Sequence, residues 1–227
     1  MRFMIIKLLP AHLRPREKFL AQGPAKLSDA ELLAILLRTG TRGKSTMDLA
    51  HELLVAFGGL RPLFLAEPKQ LCSHKGIGIT HYIQLKAAIE ISKRHMKETL
   101  AHGISLNRPS QVLEYLKYEL RDQTNECFIA LFLDSQNRIL SIETLFEGSI
   151  TQAVVYPREI VRRCLQYNAA AVIFSHNHPS GNPHASKEDI EFTRRLKSLL
   201  QELDIKMLDH IIIGDTDYFS FAEMNKI

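Results

Sequence analysis

The chain has 227 residues, 45% of them hydrophobic, which is enough apolar content to fill the cores of two small domains. It contains no apolar run of the roughly 18 residues that a membrane span needs. The opening MRFMIIKLLPAHLRPREKF is too short in its apolar part for a secretory signal, so a soluble, cytoplasmic protein without a membrane partner is expected. The formal net charge of +4 divides unevenly: 16 Lys and Arg against 8 Asp and Glu over residues 1–100, or +8, and 13 against 17 over residues 101–227, or −4. A basic first part is the natural candidate for a polyanionic partner.

In chain order, Ser28 and Glu31 form a Ser-x-x-Glu capping box, and Leu32, Leu33, Ile35 and Leu36 supply an apolar face up to Thr39-Gly40. A second helix starts near Ser45 and carries Met47, Leu49, Leu53 and Phe57 until Gly58-Gly59 ends it. The join GTRGKST has too few residues between its glycines for a phosphate-binding P-loop and follows a helix rather than a strand. HELLV at 51–55 lacks the second histidine of a zinc-protease helix. Residues 70–95 read as a short helix, a Gly76-Ile77-Gly78 turn and a longer helix. Two glycines permit a tight turn, Ile77 anchors it, and backbone N–H groups at the following helix start face outward beside Lys75. This unit resembles the helix-hairpin-helix of DNA-binding proteins. The resemblance implies sequence-independent backbone contacts through Lys75, Gly76, Ile77 and Gly78, with Lys86, Lys93, Arg94 and Lys97 nearby.

Residues 96–108 lose the apolar period and read as a linker. The expected organisation is therefore a small all-α domain over 1–100 and an α/β domain, a mixed sheet with flanking helices, over 105–227. Within the latter, Ser110 caps a helix, Phe128–Leu133 is a buried strand, Asp134–Asn137 a hairpin turn and Arg138–Glu143 the returning strand. Pro157 opens a helix ended by Asn168, and the apolar run 169–174 delivers the chain into Ser175–Asp189, SHNHPSGNPHASKED. Lys187–Leu203 is a helix, followed by strands over 205–213 and 218–221. Cys72, Cys127 and Cys164 are scattered, which argues against disulfides and thiolate zinc ligation and favours buried free thiols.

His176 and His178, one residue apart on an extended backbone, project from one face and make a usable bite for a cation. Ser186 and Asp189 follow a Pro-Ser-Gly turn and stand at a helix start, where they also satisfy an ordinary helix cap. Two imidazoles and a carboxylate suit Zn²⁺, and three ligands leave a fourth position for water, as in a catalytic site. His210 is expected to be a hydrogen-bonded core residue, with a supporting role to the ligands as the alternative.

The pattern His-x-His, seven residues, Ser, two residues, Asp, with an upstream glutamate, resembles the JAMM (MPN-plus) metalloprotease signature. The wording HNHPSG, together with the hairpin unit ahead of it, is similar to the RadC family. The resemblance implies a JAMM/MPN-like sheet of cytidine-deaminase-like architecture and one zinc per chain. It assigns His176, His178 and Asp189 as ligands, Ser186 as an oxyanion hydrogen-bond donor, and a polypeptide substrate cleaved at an amide or isopeptide bond. Its general base matches Glu126, heading ECFIALFLD, with Glu159 as the rival. Asn177 departs from the Ser or Thr of deubiquitinating members, which leaves substrate class open. The alternative is a DNA-binding repair or recombination accessory protein with a structural or vestigial metal site. A nuclease would use more carboxylates, and the His-x-Glu and Pro-Cys-x-x-Cys of zinc deaminases are absent.

Overall fold

The computed structural model describes residues 10–41, 43–101, 109–148 and 156–227. The chain divides into two compact units, Met1–Ile91 and Ser92–Ile227.

The first unit is helical: α1 (Pro15–Gln22), α2 (Asp29–Leu37), α3 (Thr46–Phe57), α4 (Leu60–Leu65), α5 (Pro68–Cys72) and the start of α6 (Ile79–Ala101). Ser28 and Ser45 each accept the amide three residues on while Glu31 and Asp48 reach back, so α2 and α3 both begin in capping boxes. Leu33, Leu37, Leu49, Leu53, Leu63, Leu71, Ile77 and Leu85 fill one core. Between α2 and α3, Thr41 and Lys44 form a backbone bridge, and Lys44 is paired with Glu52 at 2.6 Å. Gly76 is required there: its φ is +97°, and an added Cβ would stand 2.0 Å from Thr41 Cγ2.

Residues 96–101, marked by composition as a linker, instead continue α6. Met, Lys, Glu, Leu and Ala sustain a helix without an apolar stripe, and Met96 packs on the core of the second unit. Residues 102–108 lie outside the described segments.

The second unit is a five-stranded sheet of order β2-β1-β3-β4-β5. The strands are β1 (Glu126–Leu133), β2 (Ile139–Gly148), β3 (Ala171–Asn177), β4 (Lys206–Ile213) and β5 (Tyr218–Ser220). Only the β3–β4 pairing is parallel, as its crossover helix demands; the other neighbours are antiparallel. Helix α7 (Pro109–Leu120) covers one face, where Leu116 and Leu120 meet Ile129, Leu131 and Ile213. Helices α8 (Pro157–Gln166) and α9 (Lys187–Gln201) cover the other, where Ile160, Leu196 and Leu200 meet Phe128, Phe132 and Phe174. Alternation along β1 and β3 thus assigns even-numbered residues to the α8/α9 face and odd-numbered ones to the α7 face. Cys127 and Cys164 are buried and Cys72 half-buried, all free, and burial pushes the Cys164 thiol up to about 11.

Candidate metal centre

Strand β3 carries His176 at its carboxyl end, and the backbone of His178 still donates to Ile213 O of the parallel neighbour at 3.1 Å. The two histidines therefore keep strand geometry and share the α9 face. The chain then turns at Gly181 (φ +79°), whose amide returns to His178 O at 2.8 Å and whose carbonyl accepts from Asp215. That turn presents Asn182 O to His178 Nδ1 at 2.8 Å. A carbonyl only accepts, so Nδ1 carries the proton and Nε2 of neutral His178 keeps its lone pair. Ser186 caps α9, and Asp189, three residues on, is 7% exposed beneath the histidines.

His176 Nε2 and His178 Nε2 stand 3.1 Å apart, His176 Nε2 is 3.3 Å from Asp189 Oδ1, and His178 Nε2 is 3.4 Å from Asp189 Oδ2. Ligands about 2.0–2.1 Å from a tetrahedral metal lie about 3.3–3.4 Å from each other, and the nearest contacts here, in which the aspartate meets the two histidines through different oxygens, are close to that spacing. Two imidazole nitrogens facing each other call for a cation or a proton between them. Consistently, the Asp189 hydrogen bond, opposed by burial and helped by Asn182 O, holds the His178 pKa above its ordinary value. Burial by itself would raise the Asp189 carboxyl, but the His176 and His178 imidazoles beside it and the Ser186 hydroxyl bring it well below the usual carboxylate range. His176, His178 and Asp189 are the residues among those described that are grouped to hold a metal ion. The chemistry of the donor set, two imidazoles and a carboxylate, fits zinc.

Ser186 is engaged in the cap. Its oxygen accepts the Asp189 amide at 3.0 Å, and its hydroxyl donates to Asp189 Oδ2 at 2.6 Å. Glu126, half-buried, heads β1 on the histidine face. The register pairs Phe128 with His176, so continuing it sets Glu126 opposite His178, and the Glu126 charge acts on that imidazole. Glu159 lies on α8 in ion pairs with Arg162 and Arg163; its carboxyl is pulled down to about 2, chiefly by the Arg162 hydrogen bond. Asn177, between the ligands, faces the other side of the sheet and is 1% exposed. Its Oδ1 accepts the Cys127 amide at 2.8 Å, and its Nδ2 donates to Asn125 O at 3.0 Å and Gln123 O at 3.4 Å.

His210 on β4, fully buried, sits behind His176: His176 Nδ1 is 2.8 Å from His210 Nε2, and His210 Nδ1 is 2.7 Å from Thr193 Oγ1. Burial, with the neighbouring His176 next in weight, pushes the His210 pKa well down, so it is neutral. Thr193 carried no sequence signal, because its imidazole partner arrives from a separate strand. His184, exposed, hydrogen-bonds to Asn182 Oδ1 and takes no part in the triangle.

In the helical unit, Ile77 is buried, as an anchor should be, and Lys75 is exposed. The Gly78 amide is met by His81 Nδ1 at 3.3 Å. Lys86 donates to Phe64 O at 2.7 Å, and Lys93, already within the second unit, is paired there with Glu119 at 3.6 Å, so these two cations are tied down within the chain. A groove of about 600 Å³ bordered by Arg14, Arg16 and Arg38, with Glu17 also in its lining, is a second feature of this unit, invisible in the sequence because the start of α1 and the end of α2 meet only in the fold.

The comparisons agree with this architecture. Residues 106–226 match the RadC-like JAB domain and residues 6–83 the UPF0758 N-terminal domain. The chain is 51% identical over 220 residues to UPF0758 proteins of Photobacterium profundum and Vibrio vulnificus, and 50% identical to that of Cellvibrio japonicus. In each case the match covers 97% of this chain and 98% of the relative. With a helical unit ahead of a mixed sheet that gathers two histidines and an aspartate at one strand end, the chain belongs to the RadC (UPF0758) family of JAB-domain proteins.

Proposed function

We propose that the chain is a cytoplasmic zinc-dependent hydrolase of amide or isopeptide bonds in a polypeptide substrate, brought to DNA by its helical unit. The observation that carries the reading is the donor triangle of His176, His178 and Asp189 with Glu126 on the same face of the sheet. A bound zinc supplies Lewis-acid polarisation of the scissile carbonyl and acidifies water toward a pKa of about 7. Glu126 takes the proton of the attacking water and returns it to the leaving amine. Ser186, whose hydroxyl rests on Asp189 Oδ2, would donate to the developing oxyanion. Glu159, paired with two arginines, is the weaker candidate for the base role.

The DNA part of the proposal is supported by the buried Ile77 anchor, the exposed Lys75 beside the α6 start, and the charge of the first hundred residues. The test is metal analysis coupled to a peptidase screen of wild type against Glu126→Gln, with and without duplex DNA. Peptide-bond cleavage by the zinc-loaded wild type, lost in the variant with metal retained, is the expected result. Duplex binding without cleavage by a zinc-loaded chain overturns it in favour of an accessory role.

A further inference from the structure

We propose that Thr193 and His210 are positioning residues that lock His176 in the Nδ1–H tautomer, so that its Nε2 lone pair points into the donor triangle. The inference rests on the metal-site reading above.

The direction of each proton follows from one fixed point. Thr193 Oγ1 lies 2.6 Å from Asp189 O, one turn earlier on α9, and a carbonyl has no proton to give, so the single hydroxyl proton goes there. Thr193 can then only accept from His210, which puts the proton of that imidazole on Nδ1 at 2.7 Å. His210 is enclosed by Phe128, Phe174 and Phe221, its ring stacked on that of Phe221 at 5.2 Å, surroundings that hold an imidazole neutral with one N–H. Its Nε2 is therefore an acceptor, and the 2.8 Å contact requires His176 Nδ1 to donate. A neutral imidazole protonated on Nδ1 has its lone pair on Nε2, the atom 3.3 Å from Asp189 Oδ1 and 3.1 Å from His178 Nε2. His178 reaches the same state through a backbone carbonyl, whereas His176, buried deeper, needs two further side chains. The wire starts and ends on Asp189: its carbonyl sets the tautomer and its carboxylate shares the site. Helix α9 thus delivers one ligand and orients another.

Two measurements on the full chain test this. In the metal-free wild type, long-range ¹H–¹⁵N correlation spectra of labelled histidines should show His176 and His210 both as Nδ1–H tautomers. Zinc affinity, read by competition with a chromophoric chelator, should fall about 10–100-fold in Thr193→Val and stay at the wild-type value in Thr193→Ser, which keeps the hydroxyl. In the metal-free valine variant His210 should move to the Nε2–H tautomer, a change that loss of packing would not produce. A metal-free wild type with His176 protonated on Nε2 overturns the proposal, as does a folded Thr193→Val chain with unchanged tautomers and affinity. A wild type that takes up no zinc overturns the metal reading instead, and the metal-free spectrum still decides the tautomers.

Discussion

Asn177 Oδ1 accepts the backbone amide of Cys127 at 2.8 Å, so the residue between the two histidines holds the start of the strand that carries Glu126. With its Nδ2 on Asn125 O and Gln123 O, one buried amide fastens three backbone groups ahead of and beside the proposed base. Replacing Asn177 by Ala leaves the Cys127 amide without its acceptor and should lower stability by about 1–3 kcal/mol. Urea denaturation measures the loss, and faster exchange of the Cys127 amide locates it. Zinc content should be retained, because the side chain is on the face opposite the ligands.

Ser186→Ala removes both the helix cap and the hydroxyl held by Asp189. The cap alone accounts for about 1 kcal/mol of stability. If Ser186 also serves the oxyanion, turnover of a cleavable peptide should fall about 10²–10³-fold at unchanged zinc content, well beyond the effect of the cap. Chemical denaturation and steady-state kinetics on the same preparation separate the two contributions.

Zinc uptake should be proton-linked. The Asp189 hydrogen bond raises the His178 pKa from its ordinary 6.5, so a proton competes more strongly with a cation for that imidazole. Zinc affinity is expected to weaken as pH falls through the raised value. The sign for the metal-free fold is the opposite. Stability contributed by protonated His178 is present below its unfolded pKa and is lost as pH rises through the folded one. Denaturant midpoints in the presence of chelator, from about pH 5 to about pH 8, check this.

For the helical unit, the glycines are not equivalent probes. Gly76→Ala drives a Cβ into Thr41 at a positive φ and should destabilise the fold, whereas Gly78 has open space around it. Lys75→Glu with Gly78→Ala is therefore the informative variant. It should weaken duplex binding and lower the slope of log affinity against log salt by about 1 or more, with the circular dichroism spectrum unchanged. Binding that keeps the wild-type salt slope would move the DNA contact elsewhere, to the groove bordered by Arg14, Arg16 and Arg38.

The local parts of this architecture were legible in the residues. Ser28 with Glu31, the Gly76 turn, and the histidine pair followed by Ser186 and Asp189 all depend on spacings of a few positions, and each occurs as its spacing implies. What escaped depends on register between distant segments. The Asn177–Cys127 bond spans fifty positions and exists because β3 pairs with β1; the His176–His210 contact exists because β3 pairs in parallel with β4. His210 was foreseen as a core histidine, but Thr193 offered no sign of its part. The linker reading of residues 96–101 failed for another reason: helix propensity without an apolar stripe is invisible to periodicity, and one contact from Met96 does not make a pattern.

Metal content tests the central claim most directly. Protein purified without chelators should hold about one zinc per chain, and His176→Ala and Asp189→Ala should each lose it while Glu126→Gln keeps it. Wild-type protein that stays metal-free under those conditions, and takes up no zinc when it is supplied, would contradict the account.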